Sequence, residues 1–282
     1  MSTVFLSVVI PTYQRNDLLT LCLDKVSPER QSLDASFYEV IVTDDGSKST
    51  AEELIKTKYP WAKWVQGSRK GPAANRNNGA RYANGEWLVF TDDDCLPNSD
   101  WLMSYYKQIP ELPSVRAFEG AIHADKEEEL NNTFAECPIN TTGGLFWSAN
   151  IAVEKKLFHE VGGFDEGYLL AAQEDQQLHL DLLKHTTVQF LPNCVVIHPV
   201  RYSSLGAQLS KINAKSKNFV RYAKKNQGAL KYSSASAFVI EQFKFHAISF
   251  CKHLINGKFQ ESFVSLVWVC YGVPLNIYRF VL

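Results

Sequence analysis

Four short apolar runs in the first ninety residues constrain the fold most: SVVIP at 7–11, EVIVT at 39–43, KWVQ at 63–66 and EWLVFT at 86–91. Each is bounded by Pro, Gly or Asp, the pattern of short parallel strands buried on both faces. Helix signals lie between them. Residues 17–26 follow a polar cap region, 49–58 open on STAE, which reads as a capping box, and Pro72 suits the first turn of PAANRNNGARYA. Three β-α units in succession predict an α/β fold, a Rossmann-like, mostly parallel sheet with helices on its faces.

Beyond residue 100 the pattern loosens. A helix is expected at 101–109, a strand at 115–122, a loop and strand in GGLFWSANIAV (143–153), and a short helix at 154–161. GGFDEGY reads as a turn, EDQQLHLDLLKH as a helix, and TVQFL with CVVIH as a pair of strands. The charge divides sharply. Residues 203–282 carry eleven Lys and Arg against two Glu, a net of +9, while 1–202 carry eighteen against twenty-eight acids, a net of -10. The expected organisation is a catalytic domain over 1–202, with halves at about 1–98 and 99–202, and a basic, apolar helical extension over 203–282.

With 45% hydrophobic residues in 282, the chain can bury a large core. VFLSVVIP is short and strand-like and does not resemble the apolar stretch of a signal peptide, so a cytoplasmic location is expected. Cys22, Cys95, Cys137, Cys194, Cys251 and Cys270 show no C-x-x-C spacing and fit reduced, mostly buried thiols better than a zinc site or a disulfide framework.

In open α/β sheets ligands bind at the carboxyl ends of the strands. There the first run delivers Thr12, Tyr13 and Arg15, the second Asp44 and Asp45, and the fourth Asp92, Asp93 and Asp94. PTYQRND contains no glycine, which excludes a dinucleotide fingerprint, and no P-loop is present. Three adjacent carboxylates repel one another unless a cation sits among them. Hard oxygen ligands in D-x-D spacing suit Mg2+ or Mn2+ bridging to a diphosphate; a solvated acidic turn is the competing account of the triplet alone.

SVVIPTYQR, VIVTDDGS, GPAANRNNGA, GEWLVFTDDDC, SANIAVEKKLFHEVGGFDEGY and QEDQQLHLDLL, in that order over roughly 4–200, resemble the family 2 glycosyltransferases of GT-A fold. The resemblance implies an inverting transferase that moves a sugar from a nucleotide diphosphate donor, often a UDP-sugar, to an acceptor hydroxyl. It puts Pro11 and Tyr13 at the nucleobase, Arg15 on the donor side, Asp45 on the base's hydrogen-bonding edge with Asp44 beside it, and Arg76 near the nucleotide. Asp94 is the best metal ligand, with Asp92 at the other end of D-x-D and Asp92 or Asp93 nearer the ribose; His198 completes the coordination, and Arg201 is poised toward the diphosphate. Asp175 matches the general base, and Glu174 orients the acceptor or substitutes for it; apart from the resemblance, two acids at a helix start read as dipole partners. Trp147 and Asn150 line the acceptor and donor-sugar pocket, while Asp165 and Glu166 lie near the site without a catalytic role.

The tail sets Lys211, Lys215, Lys217, Arg221, Lys224, Lys225 and Lys231 among apolar residues, a basic amphipathic segment suited to an anionic membrane surface. SFVSLVWVCYGVPLNIYRFVL stops being apolar at Pro274 and Asn276, short of the roughly 20 residues of a spanning helix, so interfacial insertion is expected. Such contact, at the inner face of the cytoplasmic membrane, suits a lipid-linked glycan acceptor. The alternative is packing on the catalytic domain or in a homodimer. No base-reading module is present, so no nucleic-acid partner is expected. Competing functions are a GT-A-like scaffold that binds without turnover and a nucleotidyltransferase, whose glycine-rich loop is missing.

Overall fold

The computed structural model describes residues 4–168, 170–226 and 235–281; Lys231 of the basic tail lies outside the described residues. Two compact units emerge: Met1–Glu127 with Cys137–Pro199, and Glu128–Glu136 with Val200–Leu282. In chain order the elements begin with β1 (Leu6–Thr12), α1 (Asn16–Val26), β2 (Tyr38–Asp44), α2 (Glu52–Lys58), β3 (Ala62–Gln66), α3 (Pro72–Arg81) and β4 (Trp87–Phe90). Next come β5 (Leu96–Pro97), α4 (Trp101–Glu111), β6 (Ala117–Ala124), β7 (Ala135–Glu136), β8 (Ile151–Glu154), α5 (Lys155–Glu160), α6 (Glu174–Leu182) and β9 (Val188–His198). Then follow β10 (Arg201–Tyr202), α7 (Leu205–Ser210), α8 (Ile212–Lys225), α9 (Ala235–Ile255), α10 (Phe259–Val267), a π-helical turn (Trp268–Gly272) and α11 (Val273–Val281).

The first unit holds one sheet of order β3-β2-β1-β4-β8-β6-β9-β5. Its first four strands are parallel; β8 runs antiparallel to β4 and β6, and β9 lies parallel to β6. Strand order reverses at β1, which has β2 on one side and β4 on the other, so a crevice opens at their carboxyl ends. Strand alternation builds a core on each face. Val8 and Ile10 pack with Leu19 and Leu23 of α1 and Trp101 and Tyr105 of α4; Val9 faces Ala73 and Ala80 of α3 with Phe158, Phe164 and Leu178. α3 presses closely on the sheet through Gly79, where an added Cβ would lie 2.5 Å from Val9 Cγ1.

Three local expectations need correction. TVQFL and CVVIH are one strand, β9, whose register against β6 shifts between Gly120 and Ala121. STAE does not cap α2, because the helix begins at Glu52 and the Ala51 N–H donates instead to Asp44 Oδ2 at 2.6 Å. Of the six cysteines, Cys22, Cys95 and Cys194 are buried, but Cys137 is half-buried and Cys251 and Cys270 are exposed.

In the second unit β10 pairs antiparallel with β7. The apolar side of α8 is not free for a membrane, contrary to the sequence expectation: Ile212, Val220 and Ala223 are buried, Phe280 packs on this cluster, and Arg279 Nη1 donates to Ser216 Oγ at 2.8 Å. Nor does the terminal helix stop at Pro274. A 22-residue helical run, Phe259–Phe280, is by length and composition alone enough to cross a membrane. Pro274 follows closely on the π-helical turn Trp268–Gly272, an irregularity of the helical ladder that commonly accompanies a proline.

Candidate active site

The carboxyl ends of β1 and β4 interlock through the acidic triplet. Asp93 is fully buried and accepts from Thr12 Oγ1 at 2.7 Å, while Arg15 forks onto it through Nε at 3.2 Å and a short Nη2 contact. Arg15 Nη1 also donates to Asp94 Oδ2 at 3.3 Å. Burial pushes the Asp93 carboxyl up to about 7, against the pull of Arg15 and Thr12. The β2 end is shaped by its own acids. Asp44 accepts from the N–H groups of Gly46 (2.7 Å) and Ala51 (2.6 Å) and from Trp64 Nε1 (3.2 Å); Asp45 accepts from the Arg69 (2.8 Å) and Gly71 (3.3 Å) N–H groups.

α3 opens on GPAANRNN and buries three consecutive polar side chains, Asn75, Arg76 and Asn77. Asn75 ties β1 to β2, donating to Thr43 O at 2.9 Å and Thr12 O at 3.3 Å and accepting from Thr43 Oγ1 at 2.7 Å. Asn77 clamps the GGFDEGY turn, donating to Phe164 O at 2.8 Å and accepting from the Phe164 N–H at 2.9 Å. Arg76, 3% exposed, spans two acidic elements: Nη2 donates to Asp92 Oδ1 at 2.7 Å and Nη1 to Glu174 Oε1 at 3.2 Å. Desolvation opposes its charge, but Asp92 and Glu174 outweigh that and hold its pKa above the ordinary value.

Glu174 and Asp175 open α6 and are both buried. Gln173 before them sits in the left-handed region at φ 68°, a conformation costly for a side-chain-bearing residue. Burial first, then repulsion from Asp175, raises Glu174 to about 7; burial likewise raises Asp175, opposed by Arg76. Asp175 Oδ1 accepts from the Gln176 N–H at 2.8 Å and Oδ2 more weakly from the Ser148 N–H at 3.5 Å. Glu174 Oε2 is buried and has no hydrogen-bond partner among the described residues.

Asp92, Asp94, Cys95 and His198 bring one ligand atom each to within 4.8 Å of one another. His198 Nδ1 lies 2.9 Å from Pro199 O, a pure acceptor, which fixes the ring so that Nε2 faces the acidic group, 3.6 Å from Asp94 Oδ1. Burial holds the Cys95 thiol well above its usual pKa, which keeps it protonated and a poor ligand for a hard cation. The remaining set of two carboxylates and an imidazole fits a divalent ion such as Mn2+.

The family model described as glycosyl transferase family 2 matches residues 7–141, which contain the β1, β2 and β4 ends. The chain belongs to this family. It is 28% identical over 216 residues to a chondroitin synthase of Escherichia coli, covering 61% of this chain and 31% of that protein. It is 36% identical over 94 residues to a GalNAc(5)-diNAcBac-PP-undecaprenol beta-1,3-glucosyltransferase of Campylobacter jejuni, 32% of this chain and 29% of that one. The family 2 chain thus spans about a third of the length of these two relatives. Its fold is GT-A. A mannosyltransferase from Pyrobaculum calidifontis, solved with GDP-Man and Mn2+, superposes with a TM-score of 0.60 at 19% identity over 98% of this chain and 72% of that one. TarS 1-349 of S. aureus, solved with UDP-GlcNAc, gives 0.59 at 16% identity over 98% and 89%.

Within this family 2 chain, the sequence-derived residues divide. Pro11 is buried at the end of β1, and Tyr13 beyond it is exposed by 57%, open to a stacking partner. Asp92, Asp94 and His198 converge, and Arg76 joins Asp92 to Glu174. Arg76 and Arg15 contact carboxylates, and Asp93 and Asp44 accept hydrogen bonds from neighbouring groups. Asn150 corrects an expectation outright. It is buried, its Oδ1 accepts from Trp101 Nε1 (2.8 Å) and Tyr105 OH (2.9 Å), and its Nδ2 donates to Ala121 O and Cys194 O (both 2.9 Å), which leaves nothing for an acceptor. The Trp147 ring packs against the core on one side, and its Nε1 is buried with no partner among the described residues.

Sequence reasoning missed Glu119, buried in the middle of β6. It accepts from Asn140 Nδ2 at 2.9 Å and the Phe146 N–H at 2.8 Å, and so folds the 140–146 loop. The only sequence signal was an acid inside an otherwise apolar strand, AFEGAIHA.

Proposed function

We infer that the chain is an inverting glycosyltransferase that moves a hexose-type sugar from a nucleotide diphosphate donor, a UDP-sugar, to a hydroxyl of a glycan or lipid-linked glycan in surface polysaccharide assembly. One observation carries this reading: the Arg76 guanidinium joins Asp92 of the acidic triplet to Glu174 beside Asp175, so a diphosphate-side element and an acid pair share one site. Support for the donor and acceptor classes comes from the UDP-GlcNAc bound by TarS and the undecaprenol-linked acceptor named for the Campylobacter relative. An acceptor of that kind is presented at a membrane, here the inner face of the cytoplasmic membrane.

In the reaction Asp175 takes the acceptor hydroxyl proton as that oxygen attacks the anomeric carbon and the bond to the diphosphate breaks on the opposite face. Glu174 and Arg76 fix the base's position and charge. Tyr13 stacks on the nucleobase, Asp45 accepts from its edge, and the loop folded by Glu119 shapes the acceptor side. Asp92, Asp94 and His198 would hold a divalent cation, which when bound would supply Lewis-acid stabilisation of the charge on the leaving diphosphate.

The test is calorimetric titration of the full chain with UDP, GDP and their sugars, with and without Mn2+, on wild type and Asp94→Ala. Mn2+-dependent binding of one nucleotide class, lost in Asp94→Ala, is expected. Absence of binding by every nucleotide in the presence of Mn2+ would sink the donor assignment.

A further inference from the structure

Within the second unit, α9 and α10 carry their amphipathicity inside out. α9 turns polar groups inward: Gln242 is buried with its Oε1 accepting from Asn276 Nδ2 at 3.4 Å, His246 stacks on Trp268 with centroids 4.8 Å apart, and His253 Nδ1 lies 3.3 Å from Ser265 Oγ. α10 does the same. Ser262 and Ser265 are buried, and Ser262 Oγ donates to Phe250 O at 3.2 Å. Facing outward are Ile240, Ile248 and Ile255 of α9 and Phe259, Phe263 and Leu266 of α10, with Ile255 exposed by 84% and Phe259 by 70%. At about 100° per residue, positions 240, 248 and 255 fall on one stripe of α9. A helix on a soluble protein shows water its polar face. Small and polar residues between helices, with apolar ones outside, are the arrangement of helices whose surroundings are lipid.

Charge selects what covers this face. Between Glu241, whose Oε1 lies 3.6 Å from Lys244 Nζ, and Glu261 the sequence holds Lys244, Lys252 and Lys258 and no further Asp or Glu, and Lys252 and Lys258 flank the turn at Asn256 and Gly257. A second copy laid on the same face would bring these lysines toward their own equivalents, whereas lipid phosphates neutralise them. Lys244 and Lys252 both lie within the 21 residues of α9, which argues for a helix lying along the surface with its ammonium groups reaching to the headgroups.

We propose that the outward face of α9 and α10 docks on an anionic bilayer, with Ile248, Ile255, Phe259 and Phe263 entering the acyl boundary and Lys252 and Lys258 meeting the phosphates. It deepens the membrane-acceptor reading and rests on it only for why such contact is useful. The surface differs from the basic segment that the sequence suggested, because the apolar side of α8 is spent within the unit.

The experiment is flotation of the full chain with vesicles of phosphatidylcholine, with and without phosphatidylglycerol. The variants are Ile248→Asp/Ile255→Asp and Lys252→Glu/Lys258→Glu. Ile248, Ile255 and Lys252 are exposed and Lys258 is half-buried, so the fold is expected to survive, and circular dichroism checks it. Wild type should float with the anionic vesicles, the apolar variant should partition at least roughly tenfold less, and the lysine variant should show a weaker preference for phosphatidylglycerol. Wild type left at the bottom of the gradient overturns the proposal, as does equal flotation of wild type and the apolar variant. So does a wild-type dimer in light scattering that Ile255→Asp dissolves, since a second copy would then own the face. Flotation needs neither donor nor turnover, so a failed transfer assay and a failed flotation point to different errors.

Discussion

At the scale of single residues, one buried arginine governs two acidic elements. Removing Arg76 leaves Asp92 and Glu174 facing each other without their shared cation, and breaking a buried ion pair in this way costs roughly 3–5 kcal/mol. Arg76→Met should therefore lower the unfolding midpoint in urea and, where enough protein stays folded, shift the acid limb of kcat/KM upward. The sign follows from Arg76 lowering the Glu174 and Asp175 carboxyls: without it each holds its proton to higher pH. In wild type, burial raises both Glu174 and Asp175, so activity that needs the Asp175 carboxylate is lost, as pH falls, above the ordinary carboxylate range. For stability the direction reverses. The folded state holds protons that the unfolded chain releases, so the pair's contribution is most favourable below the ordinary carboxylate range and declines as pH rises toward 7. Asp175→Asn should reduce kcat by about 10²–10⁴-fold, the usual weight of a general base, and leave the Kd for donor unchanged; undiminished turnover would remove Asp175 from the base role. The place of Asp175 at the opening of α6 was legible because QED reads as a helix start. Asn150 was misread because its four partners, at 101, 105, 121 and 194, are remote in sequence.

Among the elements, α3 contradicts the habit of reading a polar helix as a surface helix. NRNN carries no apolar periodicity, yet Asn75, Arg76 and Asn77 are buried because each answers a polar need that β1, β2, the Phe164 turn and the acid pair create. Nothing in a local window announces that need. Asn77→Ala removes a reciprocal pair of hydrogen bonds to the Phe164 backbone, so a loss of about 1–3 kcal/mol is expected from the buried groups left unpaired. Because Phe164 lies under the Arg76 guanidinium at 5.5 Å, the variant should also lower kcat more than it raises KM. A variant with full stability would show that the turn holds itself. β9 shows the converse limit. Pro192 and Asn193 read as a break between two strands; the chain is irregular there, with Gly120 opposite Leu191 and Ala121 opposite Val195, but it continues in the same direction, and pairing with β6 decided that. The parallel half was legible because each of its strands carries an apolar run, nearly continuous in the buried β1, β2 and β4 and broken in the edge strand β3, whereas β8, inserted antiparallel between β4 and β6, depends on contacts that no local pattern records.

For the whole molecule, the division into an acidic stretch and a basic tail is plain in the sequence, and the second unit also gathers in Glu128–Glu136, which pairs with β10 through β7. The net +9 of residues 203–282 and the outward apolar face of α9 and α10 predict two separable contributions to lipid contact. Each lysine near an anionic leaflet is worth about 1 kcal/mol and acts within a Debye length, which shrinks from about 10 Å at 0.1 M salt to about 3 Å at 1 M. Burial of isoleucine and phenylalanine side chains does not weaken with salt in that way. Raising NaCl from low to near-molar concentration should therefore weaken flotation with phosphatidylglycerol vesicles by at least roughly tenfold and then reach a plateau above zero. The Lys252→Glu/Lys258→Glu variant should have a shallower salt slope and the same plateau; Ile248→Asp/Ile255→Asp should keep the slope and lose the plateau. If salt abolishes binding of wild type completely, the contact is electrostatic alone, and the apolar face of α9 and α10 stays outside the bilayer.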